Sequence, residues 1–309
     1  MNAPPQVLAR VRNVPTRLLA AMLTLGGMLG APAVLVALAI ACFAIDVAAL
    51  GGVLLLLAFL AFLGFAVAAW VLIFQARSRL KRAEAALYAG DFDAATRDAA
   101  FVVRTVFRSD YQTGALFVLA LAAERVGAFR EAGELFARAL EMIPLMAAQG
   151  PGRRARALFS AHAAISFAAA NDHARAHDML ARCHAQLASS GRPGAFDALL
   201  DDSYMGAIGI NSILVELENR RDPRPLAVLA SMLVAFKSGR GLEAAHIADH
   251  ERASIEHGLA PHERALAARI RDEGMRLASG AGPHRSPAAL APAPQDVPSS
   301  WAALVLPPR

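Results

Sequence analysis

The chain has 309 residues, 56% of them hydrophobic and 18% charged, with a formal net charge of +5 and a pI near 9.8. Its two cysteines, Cys42 and Cys183, exclude a disulfide framework and a C-x-x-C metal motif, as suits a reducing compartment. The basic pI would fit a nucleic-acid binder, but the charge is not placed for that role.

Three arginines lie within residues 1–17, and four cations within 77–82, with the single Asp46 between them. Together they contribute +6 of the net +5, so residues 83–309 sum to −1. No basic stripe with interleaved aromatics runs through that larger part, and a nucleic-acid partner is not expected. Only Lys81 and Lys237 of the 31 cations are lysines. With the abundant alanine, this reads as the codon bias of a GC-rich bacterial genome.

Two apolar runs of 28 residues, 18–45 and 47–74, are separated by Asp46 alone. Each exceeds the roughly 20 residues that a helix needs to cross a bilayer core. Arg10, Arg12 and Arg17 precede the first run, and Arg77, Arg79, Lys81 and Arg82 follow the second. The turn around Asp46 and Gly51-Gly52 carries no cation, so the positive-inside rule puts both ends in the cytosol. The expectation is a two-helix transmembrane hairpin in a bacterial inner membrane, multi-pass, with the bulk of the chain cytosolic. The juxtamembrane cations Arg77, Arg79, Lys81 and Arg82 are its expected lipid-headgroup contacts. A secretory signal peptide is the rival reading, because Ala31-Pro32-Ala33 imitates a cleavage site. The strongly apolar sequence that follows favours the hairpin.

Pro32 predicts a kink or tilt in the first helix. Gly26 and Gly30, and likewise Gly64 and Ala68, have the four-residue spacing that lets helix backbones approach closely. They serve either to pack the two helices on each other or to assemble copies of the chain. Trp70 is placed as an interfacial anchor. With no ionisable group besides Asp46, the runs offer no ion path. No proline occurs between 53 and 89 and Gly64 is the only glycine inside, so the second membrane helix is expected to continue into the first soluble one.

Beyond Leu80 the helical period dominates. The stretch 114–144 places Leu116, Leu119 and Ala120 on one face of a helix that Gly127 ends. Phe129 opens a second helix with Ala132, Phe136, Ala139 and Leu140, and Pro144 closes the unit. The small Ala120 and Ala132 allow two antiparallel helices to pack closely, while Phe136 and Leu140 fill the space toward the next unit. Upstream, Gly90, Phe92, Ala95, Ala99 and Val102 repeat the pattern. Downstream, Ala164, Phe167, Asn171, Ala176, Leu180 and Cys183 do so again. The turn residues 90, 127 and 171 are 37 and 44 apart. Further helices are expected at about 196–219, 224–238, 241–257 and 260–278, with turns at 221–223 and 239–241; they read as degenerate repeats with a capping helix, or over 190–278 as an irregular helical bundle.

The unit 114–144 resembles a tetratricopeptide repeat in its small-residue positions, turn glycine, late aromatic, late alanine and closing proline. It departs where Leu116 and Ala123 stand in place of that family's large aromatics. The resemblance implies an α-solenoid whose concave face binds peptides or helices of other proteins. The order of parts, two membrane helices, a basic stretch and then repeats, is similar to that of HemY-type inner-membrane repeat proteins, with a much shorter outer turn. No haem-related role is carried over.

Two histidine triplets, His173/His177/His184 and His246/His250/His257, share helix faces. In each the third member lies about 10 Å too far along for one ion, and no H-E-x-x-H is formed. Solvated faces explain them, and no metal is expected. Phosphate loops and G-x-S-x-G elements are absent from the sequence. The chain is therefore expected to be neither an enzyme nor a cofactor carrier. The segment 280–309 holds seven of the 17 prolines and ends in an apolar cluster with Trp301, Leu304 and Leu306, a docking motif for a partner or for the chain's own concave face.

The reading is thus all-α. It comprises a basic N-terminus (1–17), a membrane hairpin (18–76), a repeat domain (77–279) and a disordered tail (280–309). Its expected role is a scaffold or adaptor for protein or peptide partners, or else a structural subunit of a larger membrane complex or homo-oligomer.

Overall fold

The structure, a computed structural model, describes residues 31–44, 48–105, 109–143, 152–188 and 222–279. Among these residues every regular element is an α-helix and no strand occurs, so the all-α class holds. Gly26, Gly30, Asp46, Pro144, the helix expected at 196–219 and the tail with Trp301, Leu304 and Leu306 lie outside the described residues.

Helix α1 (Ala31–Ala44) takes Pro32 into its first turn and packs along α2 (Ala48–Tyr88). Gly51 and Gly52, expected in the connecting turn, belong instead to the first turns of α2. Gly51 is buried, as are Ala39 of α1 and Ala58 of α2. Small side chains here let the two backbones come close.

With 41 residues, α2 is about 60 Å long, twice the thickness of a bilayer core. Its surface changes character midway. From Leu50 to Phe74 large apolar side chains such as Leu56, Phe59, Leu60, Trp70 and Phe74 are exposed around the helix. From Ala76 onward a single stripe, Ala76, Leu80, Ala83 and Leu87, is buried. That stripe lies against α3 (Phe92–Thr105). No break separates the two halves. The absence of proline and the run of good helix formers keep the backbone continuous.

The remaining helices are α4 (Ser109–Arg125), α5 (Phe129–Met142), α6 (Arg153–Ala169), α7 (His173–Ala188), α8 (Arg224–Lys237), α9 (Gly241–His250), α10 (Arg252–Gly258) and α11 (Pro261–Ala278). Each packs on its successor from α2 to α7, α8 packs on α6, α7 and α9, and α9 packs on α11.

Four connections, α2–α3, α4–α5, α6–α7 and α8–α9, are built alike. Gly90, Gly127, Asn171 and Gly239 hold φ between 59° and 81°. Left-handed backbone is cheap for glycine and tolerated by asparagine, which is why these residue types stand there. In each turn the following amide reaches back five residues: Asp91 to Ala86, Ala128 to Ala123, Asp172 to Phe167 and Arg240 to Ala235, at 2.8–2.9 Å. This is the Schellman closure of a helix end. The next helix then starts at once. Ala95, Ala132, Ala176 and Ala244 occupy equivalent places four residues further on, all fully buried. A side chain no larger than alanine lets the second helix lie close against the first.

One apolar core runs from Ala76 to Ile270. At its centre Phe117 of α4 stacks on Phe159 of α6 with centroids 5.0 Å apart and meets Phe136 of α5 edge-on at 5.8 Å. Helices α9 and α11 cross at Gly241 and Gly274, where an added Cβ on Gly274 would collide with the Gly241 backbone. Pro261 and the Glu263 carboxylate, which accepts the Ala260 amide at 3.0 Å, start α11.

The single helix expected over 241–257 is divided at Glu251. The bend turns α10 onto α8, where Gly258 abuts Pro225, a contact only glycine permits.

Candidate functional site

Two places in this stack concentrate charged side chains in defined geometry. The first is the junction of α2 with α3. Asp98 of α3 receives Arg79 Nη1 at 2.8 Å and Arg82 Nε at 3.2 Å, and the Arg79 guanidinium lies 4.0 Å over the Phe101 ring. One carboxylate and one aromatic ring thus tie two of the four cations within 77–82 to α3. Arg77 and Lys81 are exposed and point elsewhere. Trp70 and Phe74 stack at 5.9 Å just before them and are exposed.

The second place is inside the core. His162 of α6 lies with Nδ1 3.4 Å from Glu124 Oε2 of α4, and both side chains are 1% exposed. The imidazole stacks on Phe136 at 4.9 Å and meets Phe117 edge-on at 5.9 Å. Glu124 Oε1, both ring nitrogens of His162 and the hydroxyls of Ser160 and Ser166 find no hydrogen-bond partner, so the Glu124–His162 approach is a close polar contact and not a hydrogen bond. The pair is sealed from solutes, so it cannot turn over a substrate as it stands. It joins α4 to α6 through the only buried acid and imidazole among the described side chains of those two helices. Sequence reading missed it. The signal available was that 114–123 is apolar on every side, the mark of a fully buried helix. Any polar residue adjoining such a stretch is then a buried one.

The expected packing residues Leu116, Ala120, Ala132, Phe136 and Ala139 are fully buried, and Gly127 is the turn. Residues 112–124 of α4 and 157–168 of α6 are buried on all sides. A peptide reading a concave face needs exposed side chains, and these two stretches present none. The open surface of this region lies on α3, α5 and α7.

Gly64 and Ala68 are exposed, and a Cβ added to Gly64 would meet nothing within 4 Å. Two members of the first histidine triplet face α8 and its C-cap, His177 Nε2 3.2 Å from Ser238 Oγ and His184 Nε2 3.1 Å from Ser231 Oγ, while His173 is exposed. The second is split by the Glu251 bend, so His257 does not share the face of His246 and His250. Among the described residues no three His, Cys, Asp or Glu side chains gather to hold a metal ion.

Cys183 donates to the Ala157 carbonyl at 3.3 Å, and burial pushes its thiol up to about 12. A thiol raised that far stays neutral, and so unreactive, at pH 8. Maleimide should therefore label Cys183 only as fast as the domain opens. Labelling of Cys183 within minutes in a native Cys42→Ser chain would refute its burial.

No family model matches the chain, and no curated protein or solved structure matches it. Among the described residues one helix, Ala49–Tyr88, is long and apolar enough to cross a membrane. Only 6% of its most apolar window is buried, whereas the central helix of a water-soluble fold would be mostly covered.

Proposed function

We propose that the chain is a membrane-anchored, tetratricopeptide-like scaffold that holds protein partners at the cytosolic face of a bacterial inner membrane and catalyses no reaction. The carrying observation is the unbroken α2. Its apolar half has the length and girth of a membrane span, and its other half is the first packing helix of the stack. A continuous helix transmits orientation, so the stack has a fixed attitude to the bilayer. The four equivalent Gly/Asn turns and their buried alanines support the repeat reading. In this reading α1 and the residues before it complete a hairpin with both ends in the cytosol. Partners dock on the exposed sides of α3, α5 and α7, because α4 and α6 are closed.

The test is topological and compositional. A cysteine placed at exposed Asp178 should react with membrane-impermeant maleimide in inverted vesicles and not in spheroplasts. Photo-crosslinkers at Arg130 or Asp178 should capture a small, reproducible set of proteins. Labelling in spheroplasts would sink the topology, and crosslinks no different from those of a lipid-facing control at Leu56 would sink the scaffold.

One observation favours a second reading, a structural subunit of a larger membrane complex. The open face at Gly64 and Ala68 is shaped for another transmembrane helix. A discrete large assembly in mild detergent, dispersed by Gly64→Leu, would select it.

A further inference from the structure

We propose that the four juxtamembrane cations divide into two sets. Arg77 and Lys81, with Arg104 at the end of α3, form the docking site for anionic phospholipid headgroups, and Arg79 and Arg82 take no part in it. The proposal rests on α2 spanning the membrane and names which residues then read the lipid.

The division follows from helix geometry. At about 100° per residue, Trp70, Phe74, Arg77, Lys81 and Tyr88 fall within roughly 60° of one line along α2. The buried stripe Ala76, Leu80, Ala83 and Leu87 occupies another line, about 120° round. Arg79 lies about 70° beyond that stripe and Arg82 about 110° from the first line, on the side of it opposite the stripe, and Asp98 takes both. Their charge is met within the protein. Arg77 and Lys81 are exposed and make no ion pair among the described residues. They follow directly on Trp70, a residue type that settles at a headgroup boundary and here stacks on Phe74.

The level of α3 adds a third cation. Asp98 pairs with Arg82, and Phe101 with Arg79, so α3 runs back along α2 residue for residue from the Gly90 turn. The same register puts Thr105 level with Gln75, at the boundary where α2 turns from all-round apolar to one-sided. The exposed Arg104 is then in the headgroup plane. Long cationic side chains reach such a plane from either side of it. The occupant is a phosphodiester held in a membrane, because the apolar belt that completes the site lies on the bilayer side.

The experiment uses the full chain in mild detergent, titrated with phosphatidylglycerol, phosphatidylcholine and inorganic phosphate, with bound lipid read by native mass spectrometry. Vesicles of the same lipids report insertion by resistance to carbonate extraction. Wild type and Arg79→Gln/Arg82→Gln should prefer phosphatidylglycerol equally. Arg77→Gln/Lys81→Gln should lose about 30-fold of that preference, and Arg104→Gln about 5-fold, at roughly a fivefold factor per cation. An equal or larger loss in Arg79→Gln/Arg82→Gln would overturn the division. Competition by millimolar inorganic phosphate would show a soluble anion as the ligand and overturn the lipid. Full insertion of every variant without any headgroup preference would refute this site alone, whereas release of wild type by carbonate would refute the membrane-spanning reading beneath it.

Discussion

Glu124→Leu is expected to destabilise the folded stack by about 3 kcal/mol, and His162→Phe by a comparable amount, because each removes the group 3.4 Å away that offsets the other's burial and leaves that carboxyl or imidazole alone in the core. The double variant Glu124→Leu/His162→Phe should cost less than either single change. A phenyl ring fits the slot where the imidazole stacks on Phe136 and meets Phe117, and neither a lone carboxyl nor a lone imidazole is then left there. Denaturant unfolding of the full chain in detergent, carried through as a double-mutant cycle, measures the coupling. Simple addition of the two single costs would mean that the carboxyl and imidazole do not interact. The pair does not resemble a catalytic dyad in its access to solutes. Its consequence is register: apolar contact alone would let α4 and α6 slide, and a polar pair in an apolar layer opposes sliding.

Ala76→Pro is the second large effect. Proline inside a helix removes one backbone hydrogen bond and clashes with the preceding turn, at about 3 kcal/mol or more. Ala76 is fully buried at the boundary where α2 passes from its exposed apolar half to its packed half. The substitution should leave both halves helical, yet break the rigid link between anchor and stack. Spin labels at Leu56 and Asp178 would show a narrow distance distribution in wild type and a broad one in the variant. Equal widths would mean that continuity of α2 does not set the attitude of the stack. Loss of partner crosslinks in Ala76→Pro, with the stack still folded, would tie that attitude to recruitment.

Much of the architecture was legible because it is local. Gly90, Gly127 and Asn171 could be read as turns because only certain residue types take positive φ cheaply. The second helix of each unit followed from buried positions such as Ala132, Phe136 and Ala139 at helical spacing. The long α2 followed from a stretch without proline. The break at Glu251 was not legible. Its backbone there is ordinary, and the bend serves a contact between Gly258 and Pro225, 33 residues apart in the chain. The candidate sites were less legible still. The four cations 77–82 look alike in sequence, and Asp98 distinguishes them only once α3 has folded back along α2. The histidines that drew notice by their spacing lie at the surface, where His177 and His184 meet serine hydroxyls, while His162, which belongs to no pattern, is buried.

By itself, then, the sequence determined the helical class, the apolar length of α2, the turns at Gly90, Gly127, Asn171 and Gly239 and the concentration of charge beside the apolar runs. These follow from composition and period along a single segment. Tertiary structure alone decided that Arg79 and Arg82 serve Asp98, that α4 and α6 are closed on every side, and that Glu124 meets His162. Each of these depends on which helix comes to lie beside which. That choice is made by the summed packing of many side chains distant in sequence, and no window along the chain contains it.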